Sequence, residues 1–265
     1  MVQRRGKPSN LTRKMNESTA TLDGKWALIT GAGKRIGACI ARRLHAEGAN
    51  IAVHFRGSET PARSLVDKFN SARSGSAFAV GADLMDTAAL PALIGEIITK
   101  SGQLDFLINN ASSFYPTPMG FMTEEQWDDL MGTNLKAPLF LSQAAAPHLR
   151  ESGGCIVNIV DIHAARPLRN HAIYGMAKAG LAMLTRSLAR DLAPEVRVNG
   201  VSPGAILWPE NGMTERVKDN VLNQIPMKRA GEPEDIADCV LYLVRDARYV
   251  TGQVIAVDGG RSVGW

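Results

Sequence analysis

Short apolar runs alternate with longer helical patterns along almost the whole chain from Lys25 onward. The seven runs are KWALIT, NIAVHF, AFAVG, DFLIN, CIVNIV, VRVNGV and QVIAV. None of them alternates apolar with polar residues, which indicates strands buried on both faces of a parallel sheet. The intervening segments favour helices; in one of them Ile36, Ile40 and Leu44 recur every four residues and share a face. We therefore predict an α/β fold with a doubly wound, seven-stranded parallel sheet and helices on both faces.

No linker or internal repeat divides this pattern, and 265 residues suit one such domain. We predict the domain over residues 23–265, after a basic, disordered tail over residues 1–22. The first 20 residues hold the whole net charge of +4, so the remainder is neutral, which argues against nucleic acid as the main partner. The longest stretch without a strand, about 204–232, is predicted to be a substrate loop.

The composition is that of an ordinary soluble protein, with 45% apolar and 21% charged residues and no apolar run that suits a membrane span. Cys39, Cys155 and Cys239 are far apart, and the five histidines form no ligand pattern. We therefore expect buried thiols in a reducing, cytoplasmic environment and no metal. No apolar segment follows the basic N-terminal residues, so we expect no secretory signal, while a transit peptide stays open as an alternative.

The segment ALITGAGKRIGACIA ends the first predicted strand and opens the first helix. Its glycines at 31, 33 and 37 let the backbone turn tightly and approach a ligand, and a helix N-terminus attracts phosphate. Lys34 and Arg35 are unfavourable cations at such a terminus, so we expect an anion between them. These features predict a dinucleotide site.

The end of the second strand indicates which dinucleotide binds. An enzyme that uses NAD has an acid there for the ribose 2′-hydroxyl, whereas this chain offers His54, Arg56 and Ser58. Guanidinium and hydroxyl donors suit a 2′-phosphate, although a solvated surface arginine is the simpler interpretation of Arg56 alone. The missing acid favours NADPH. Asp83, after the third strand, is placed to accept from the adenine amino group.

The segment NIVDIHAARPLRNHAIYGMAKAG combines Asp161 with Tyr174 and Lys178. Tyr174 and Lys178 are four residues apart and share a helix face. A phenol titrates near pH 10, and a nearby ammonium lowers its pKa, whereas a nearby carboxylate raises it. The simpler interpretations are a surface Tyr/Lys pair and a turn cap at Asp161.

The chain resembles the short-chain dehydrogenase/reductase family over nearly its whole length after residue 22. The matching motifs are TGAGKRIG at 30–37, NNAS at 109–112, Asn134 in GTNLKAP, Tyr174 and Lys178, NGVSPG at 199–204 and VDGG at 257–260. The resemblance implies a Rossmann-type reductase and a homotetramer. It further implies that Tyr174 donates a proton, that Lys178 binds the nicotinamide ribose and lowers the tyrosine pKa, and that Asn134 holds a relay water.

Three departures from the usual family pattern resemble its pteridine reductase branch. They are Arg35 in place of a glycine, Asp161 in place of a serine, and NNASSFYPTP with Ser112 and Phe114. The resemblance implies reduction of dihydropterins, and of dihydrofolate, with the pterin stacked between the nicotinamide and Phe114. A carboxylate at position 161 suits the N–H donors of a pterin ring. AILWPE at 205–210 resembles bacterial dihydromonapterin reductases.

The predicted catalytic residues are Asp161, Tyr174, Lys178 and Asn134. The predicted cofactor-binding residues are Gly31, Lys34, Arg35, Ile36, Gly37, His54, Arg56, Ser58, Asp83, Leu84, Asn110, Ala111, Ser112, Tyr174, Lys178, Pro203, Gly204 and Ile206. The predicted substrate residues are Arg35, Ser112, Phe114, Asp161, Tyr174, Leu207 and Trp208. Two alternatives stay open: a generic carbonyl reductase, such as a 3-oxoacyl thioester reductase, and a non-catalytic NADP(H)-sensing protein.

Overall fold

The computed structural model describes residues 21–208 and 214–263. Seven strands form one sheet in the order β3-β2-β1-β4-β5-β6-β7, and every neighbouring pair is parallel. The strands are β1 (Trp26–Ile29), β2 (Asn50–Phe55), β3 (Ala77–Gly81), β4 (Phe106–Asn109), β5 (Cys155–Ile159), β6 (Arg197–Pro203) and β7 (Val254–Val257). The predicted sheet is confirmed; six of the seven predicted apolar runs contain their strand, and β6 extends beyond the run VRVNGV to Pro203.

Helices connect consecutive strands, as parallel pairing requires. They are α1 (Arg35–Ala46), α2 (Glu59–Ala72), α3 (Leu90–Ser101), α4 (Glu124–Met131), α5 (Ala137–Ser152), α6 (Ala172–Asp191), α7 (Glu215–Asn223) and α8 (Pro233–Arg245). A π-helical turn, Gly132–Lys136, joins α4 to α5, and a 3₁₀ turn, Ile162–Ala164, follows β5. The predicted substrate loop, 204–232, therefore contains a helix, α7. Residues 209–213 of the loop lie outside the described part of the chain.

Two apolar cores lie on opposite faces of the sheet. One core packs α1, α2 and α8 against the sheet, and the other packs α3, α5 and the C-terminal end of α6. The predicted apolar face of α1 is confirmed, because Ile40 and Leu44 are fully buried and Ile36 packs against the same core. The helices thus cover both faces and leave the carboxyl edge of the strands for ligands.

The domain begins slightly earlier than predicted. Leu22 is only 3% exposed and packs in the core, and its backbone N–H donates to the Glu47 carbonyl oxygen at 2.9 Å. Leu22 thus belongs to the core although the predicted tail includes it, and the division between tail and domain otherwise stays a prediction. The basic residues of the predicted tail lie outside the described residues.

Within residues 21–208 and 214–263, none of the helices combines the length and apolar character needed to cross a membrane. The same residues contain no group of three or more His, Cys, Asp or Glu side chains arranged to hold a metal ion.

Candidate active site

The glycine-rich turn after β1 is held against the loop after β4. Gly31 has a positive φ of 62°, and its N–H donates to His54 Nδ1 at 3.2 Å. A Cβ at Gly37 would lie 2.5 Å from Asn110 Nδ2 and 2.6 Å from the Gly31 carbonyl oxygen. Only glycine fits at position 37, because the turn and the first residues of α1 are in close contact there.

His54 has a different role from the one predicted for a residue beside a 2′-phosphate. It is 1% exposed; its Nδ1 accepts from Gly31, and its Nε2 lies 3.2 Å from the Ala82 carbonyl oxygen. Burial lowers the pKa of His54 to about 4, so the ring is neutral at pH 7. His54 lies in the cleft wall but fixes the glycine turn instead of offering a positive charge.

Thr30 is a site residue that sequence reasoning missed. It is buried at the end of β1, and its Oγ1 accepts from the N–H groups of Asn110 and Ala111, both at 2.9 Å. Asn110 Nδ2 in turn donates to the Thr30 carbonyl oxygen at 2.8 Å. These bonds join the ends of β1 and β4, where the strand order reverses and where α/β sheets bind ligands.

A cleft of about 370 Å³ opens above this junction. It brings together thirteen of the predicted cofactor residues: Gly31, Lys34, Arg35, Ile36, Gly37, His54, Arg56, Ser58, Asp83, Leu84, Asn110, Ala111 and Ser112. Sequence reasoning missed Gly57, Met85, Ser113 and Thr133, which also line it. The five other predicted cofactor residues, Tyr174, Lys178, Pro203, Gly204 and Ile206, line a second cleft.

The second cleft has a volume of about 340 Å³ and shares Arg35, Ile36, Asn110 and Ser112 with the first. It contains all the predicted substrate residues: Arg35, Ser112, Phe114, Asp161, Tyr174, Leu207 and Trp208. It also contains residues that sequence reasoning missed, among them His163, Leu168, Val221 and Arg261. The two clefts together have the arrangement expected of adjoining cofactor and substrate sites.

Arg35 lies at the boundary of the two clefts as the first residue of α1. Its φ is 53°, in the left-handed region where glycine is favoured. A non-glycine residue there carries backbone strain, and such strain is concentrated at functional sites. The structure thus places a strained, exposed cation where both clefts meet.

Asp161, Tyr174 and Lys178 come together at the ends of β5 and α6. The Tyr174 hydroxyl donates to Asp161 Oδ2 at 2.8 Å, and Asp161 Oδ1 accepts from the His163 N–H at 2.8 Å. Lys178 is 2% exposed, and its Nζ donates to the Ile159 carbonyl oxygen at 2.9 Å. Asp161 therefore does cap a turn through Oδ1, while Oδ2 accepts from the phenol, and each oxygen keeps a lone pair for a further donor.

The pKa shifts differ in part from the expectation. Burial and the Asp161 carboxylate raise the pKa of Tyr174 well above its ordinary value, and the Ser112 hydroxyl opposes this. The Lys178 Nζ lies 5.7 Å from the phenol ring centroid and donates to the Ile159 carbonyl oxygen, and the lowering of the Tyr174 pKa by Lys178 stays a prediction. Burial lowers the pKa of Lys178 to about 8, close to the range useful for proton exchange.

Asn134 fixes the orientation of Ser112. It is fully buried in the π-helical turn, and its Nδ2 donates to the Ser113 and Leu130 carbonyl oxygens at 3.0 and 2.9 Å. Its Oδ1 accepts from Ser112 Oγ at 2.6 Å. Both amide hydrogens are thus used within the protein, and the Ser112 oxygen keeps its lone pairs for other donors. The predicted relay water at Asn134 stays a prediction.

Phe114 covers the phenol from the cleft side. Its ring is stacked with His171 at a centroid distance of 4.8 Å and meets the Tyr174 ring edge-on at 4.9 Å. The side chain is nevertheless 52% exposed. Phe114 is thus not a core residue, and its apolar ring borders the substrate cleft.

The fold and these clefts define an oxidoreductase built on a dinucleotide-binding sheet. The chain matches the family described as enoyl-(acyl carrier protein) reductase over residues 31–262, and it belongs to the short-chain dehydrogenase/reductase family. A relative, the 3-oxoacyl-[acyl-carrier-protein] reductase FabG of Staphylococcus aureus, is 39% identical over 240 residues, which cover 89% of this chain and 97% of that protein.

A further relative and a solved structure are also similar to this chain. Pteridine reductase 1 of Leishmania tarentolae is 37% identical over 278 aligned positions, which cover 89% of this chain and 96% of that protein. Among solved structures, a blue fluorescent protein from a metagenomic library in complex with NADPH is similar, with a TM-score of 0.85 and 36% identity. The alignment covers 91% of this chain and 99% of that one. Its ligand agrees with the cofactor predicted here from sequence.

Proposed function

We propose that this protein is an NADPH-dependent reductase of pterins that converts dihydropterins, and dihydrofolate, to their tetrahydro forms. The observation that carries the proposal is the 2.8 Å hydrogen bond from the Tyr174 hydroxyl to Asp161, with Phe114 edge-on to the same phenol. This arrangement combines a proton donor, an acceptor for ring N–H groups and an aromatic face within one cleft.

The first cleft fits NADPH. Its floor is the glycine turn where the backbone approaches closely, and its rim offers the exposed Arg56 and the half-buried Ser58 as donors for a 2′-phosphate. Asp83 is the single acidic residue among the described lining residues, and it follows β3, not β2. The bound cofactor supplies the hydride.

The chain's own residues control the proton and the orientation of the substrate. The raised pKa of Tyr174 keeps the phenol protonated at neutral pH, so the phenol is available as the proton donor. Asp161 and Ser112 present acceptor oxygens, which suit the amino and ring N–H groups of a pterin. A ketone oxygen has no donor to offer, and a carboxylate beside it is repulsive.

A 3-oxoacyl thioester reductase is the second candidate. The similarity to a 3-oxoacyl-[acyl-carrier-protein] reductase, at 39% identity over nearly the whole chain, favours it. The non-catalytic NADP(H)-sensing alternative has little support, because Tyr174 and Lys178 are both present in the cleft.

The test is consumption of NADPH by the full chain with 7,8-dihydrobiopterin, 7,8-dihydrofolate and acetoacetyl-CoA, each assayed beside NADH. We expect kcat/KM to be highest for a dihydropterin. A panel in which only the thioester is reduced contradicts the pterin proposal and supports the second candidate. Absence of turnover with every compound, together with NADPH binding, supports the sensing role.

The assembly we propose is a homotetramer. Apolar side chains are exposed on the described parts of two long helices, with Leu139 on α5 and Met176 and Met183 on α6 between 37% and 58% exposed. Such residues are typical of surfaces covered in an assembly. Light scattering after size-exclusion chromatography tests this, and a monomeric mass contradicts it.

A further inference from the structure

Arg261 is a cation of the substrate cleft that neither the proton chemistry nor the cofactor site uses. It is partly buried and lines the second cleft but not the first. The other cations of this cleft have different surroundings: Arg35 also lines the cofactor cleft, and Lys178 bonds to the Ile159 carbonyl oxygen. Asp161 is the one carboxylate among the described residues lining the cleft.

The turn that carries Arg261 is built to hold it there. The Asp258 carboxylate accepts from the N–H groups of Gly260 and Ser262 at 2.9 and 2.6 Å, and the Arg261 N–H donates to the Asp258 carbonyl oxygen at 3.1 Å. The Met227 N–H donates to the Gly259 carbonyl oxygen at 3.1 Å. The turn is thereby joined to the segment that follows α7.

The guanidinium itself is weakly engaged. Within the described residues its one hydrogen bond runs from Nη2 to Gln224 Oε1 at 3.4 Å, and it forms no ion pair within 4.0 Å. Burial lowers the pKa of Arg261, opposed by Asp161 and Asp258. A guanidinium has five N–H donors, and within the described residues most of those of Arg261 have no protein acceptor, so they are available to a ligand in the cleft.

We propose that Arg261 recognises an anionic group of the substrate, a carboxylate or a phosphate, and so sets substrate preference within this cleft. Planar guanidinium pairs with both groups through two parallel N–H bonds. The choice of pterin probes rests on the proposed function, but the role of Arg261 does not, because an anionic thioester would meet the same side chain.

The experiment is calorimetric titration of the NADP⁺-loaded enzyme with folate, neopterin 3′-phosphate and the neutral biopterin. We expect Arg261→Gln to weaken binding of an anionic pterin roughly ten- to a hundredfold and to leave biopterin within about twofold. A loss confined to folate identifies a carboxylate, and one confined to the phosphate ester identifies a phosphate. Equal losses for all three pterins, or none, overturn the proposal.

Three further variants separate charge from structure. Arg261→Lys keeps the charge without the planar fork and should retain part of the preference for anionic over neutral pterins. The same variant tests the proposal if Arg261→Gln does not fold. Gln224→Ala removes the hydrogen-bond partner and should keep the preference. Arg150→Gln removes an exposed arginine at the end of α5, at the opposite edge of the sheet, and should change nothing.

These titrations also distinguish failure of the proposed function from failure of the role proposed for Arg261. If the wild type binds none of the three pterins, the pterin proposal fails. The same comparison is then made between acetoacetyl-CoA, which is anionic, and the neutral acetoacetyl N-acetylcysteamine thioester, with kcat/KM as the readout. A preference for the anionic thioester that Arg261→Gln removes supports the role of Arg261, and its absence in the wild type overturns it.

Discussion

The two clefts differ in what holds their walls. In the cofactor cleft the turns after β1 and β4 are fixed largely through backbone groups, as in the bonds from two N–H groups to Thr30 Oγ1 and from the Gly31 N–H to His54 Nδ1. In the substrate cleft the decisive bonds join side chains, as from Tyr174 to Asp161 and from Ser112 to Asn134. Substitutions should therefore act on chemistry and selectivity in the substrate cleft and on cofactor choice in the cofactor cleft.

The largest effect is expected at Tyr174. Tyr174→Phe removes the proposed proton donor and keeps the ring that packs against Phe114, so turnover should fall roughly 100- to 10,000-fold. The affinity for NADPH, measured by fluorescence titration, should stay within a few-fold of the wild type. Near-normal turnover in this variant would show that another group supplies the proton.

The next effect is expected at Asp161. Asp161→Ser restores the usual family residue and removes an acceptor for ring N–H groups, so kcat/KM for dihydrobiopterin should fall up to about a hundredfold. Reduction of a simple ketone should be spared, because a hydroxyl can donate to its oxygen. The measured quantity is the ratio of the two kcat/KM values.

Asp161→Asn is the matched control for charge. It keeps the size of the side chain and loses the carboxylate that raises the Tyr174 pKa, so the phenol should titrate at lower pH than in the wild type. If both variants keep the wild-type ratio of kcat/KM for dihydrobiopterin to kcat/KM for the ketone, Asp161 does not determine substrate preference. The protein is then better described as a generic carbonyl reductase.

The cofactor cleft should respond differently. Arg56→Asp replaces the proposed partner of the 2′-phosphate with a repulsive charge, so the preference for NADPH over NADH should fall roughly ten- to a hundredfold. The test is kcat/KM for both cofactors with one substrate. Arg63→Asp is the control, because Arg63 is exposed on α2 and outside the described lining of either cleft. Equal efficiencies with the two cofactors in the wild type contradict the NADPH assignment.

The same difference explains how much the sequence alone could predict. The sheet, the glycine turn and thirteen members of the cofactor cleft follow from local patterns, since twelve of these residues come directly after strands β1 to β4 and His54 lies in β2. The role of His54 could not be predicted, because its two partners, Gly31 and Ala82, are 23 and 28 residues away along the chain.

The substrate cleft was only partly predictable. Asp161, Phe114 and Tyr174 were found by motif, but their mutual geometry depends on packing between separate elements. Arg261 reaches the cleft through a turn after β7 and contacts Gln224, 37 residues earlier in the chain. The sequence signal that could have found it is its place directly after the VDGG motif, which marks a turn at the carboxyl edge of the sheet.

The burial of Lys178 makes the stability of the folded protein depend on pH. Its folded pKa is lowered to about 8 by burial, below the value near 10.4 of an unfolded lysine. Between these values the unfolded chain binds more protons, so this group makes stability rise with pH there and imposes its full cost below pH 8. Lys178→Met should therefore gain stability relative to the wild type at pH 7.5.

That stability gain should narrow by about 2 kcal/mol between pH 7.5 and 9.5, because the wild-type lysine is neutral in the folded state at the higher pH. Denaturant unfolding of both proteins at the two pH values measures it. A difference that does not depend on pH contradicts the lowered pKa of Lys178. Thr185→Val is a control without a titratable group, in a buried position on the same helix.

The smallest effect is expected at Phe114, where the substrate cleft offers an aromatic face and not a charge. Stacking on an aromatic ring contributes on the order of 1 kcal/mol beyond burial, so Phe114→Ala should raise KM for dihydrobiopterin about fivefold. The affinity for NADPH should hardly change, because Phe114 does not line the cofactor cleft.

Phe114→Tyr keeps the ring and should behave as the wild type, whereas Phe114→Leu keeps much of the bulk without the ring. If Phe114→Leu has the wild-type KM, the contact is apolar packing alone. Phe114 then no longer supports a flat heteroaromatic substrate, and only Asp161 does. If alanine weakens NADPH as strongly as the pterin, the separation between the two clefts does not hold at this residue.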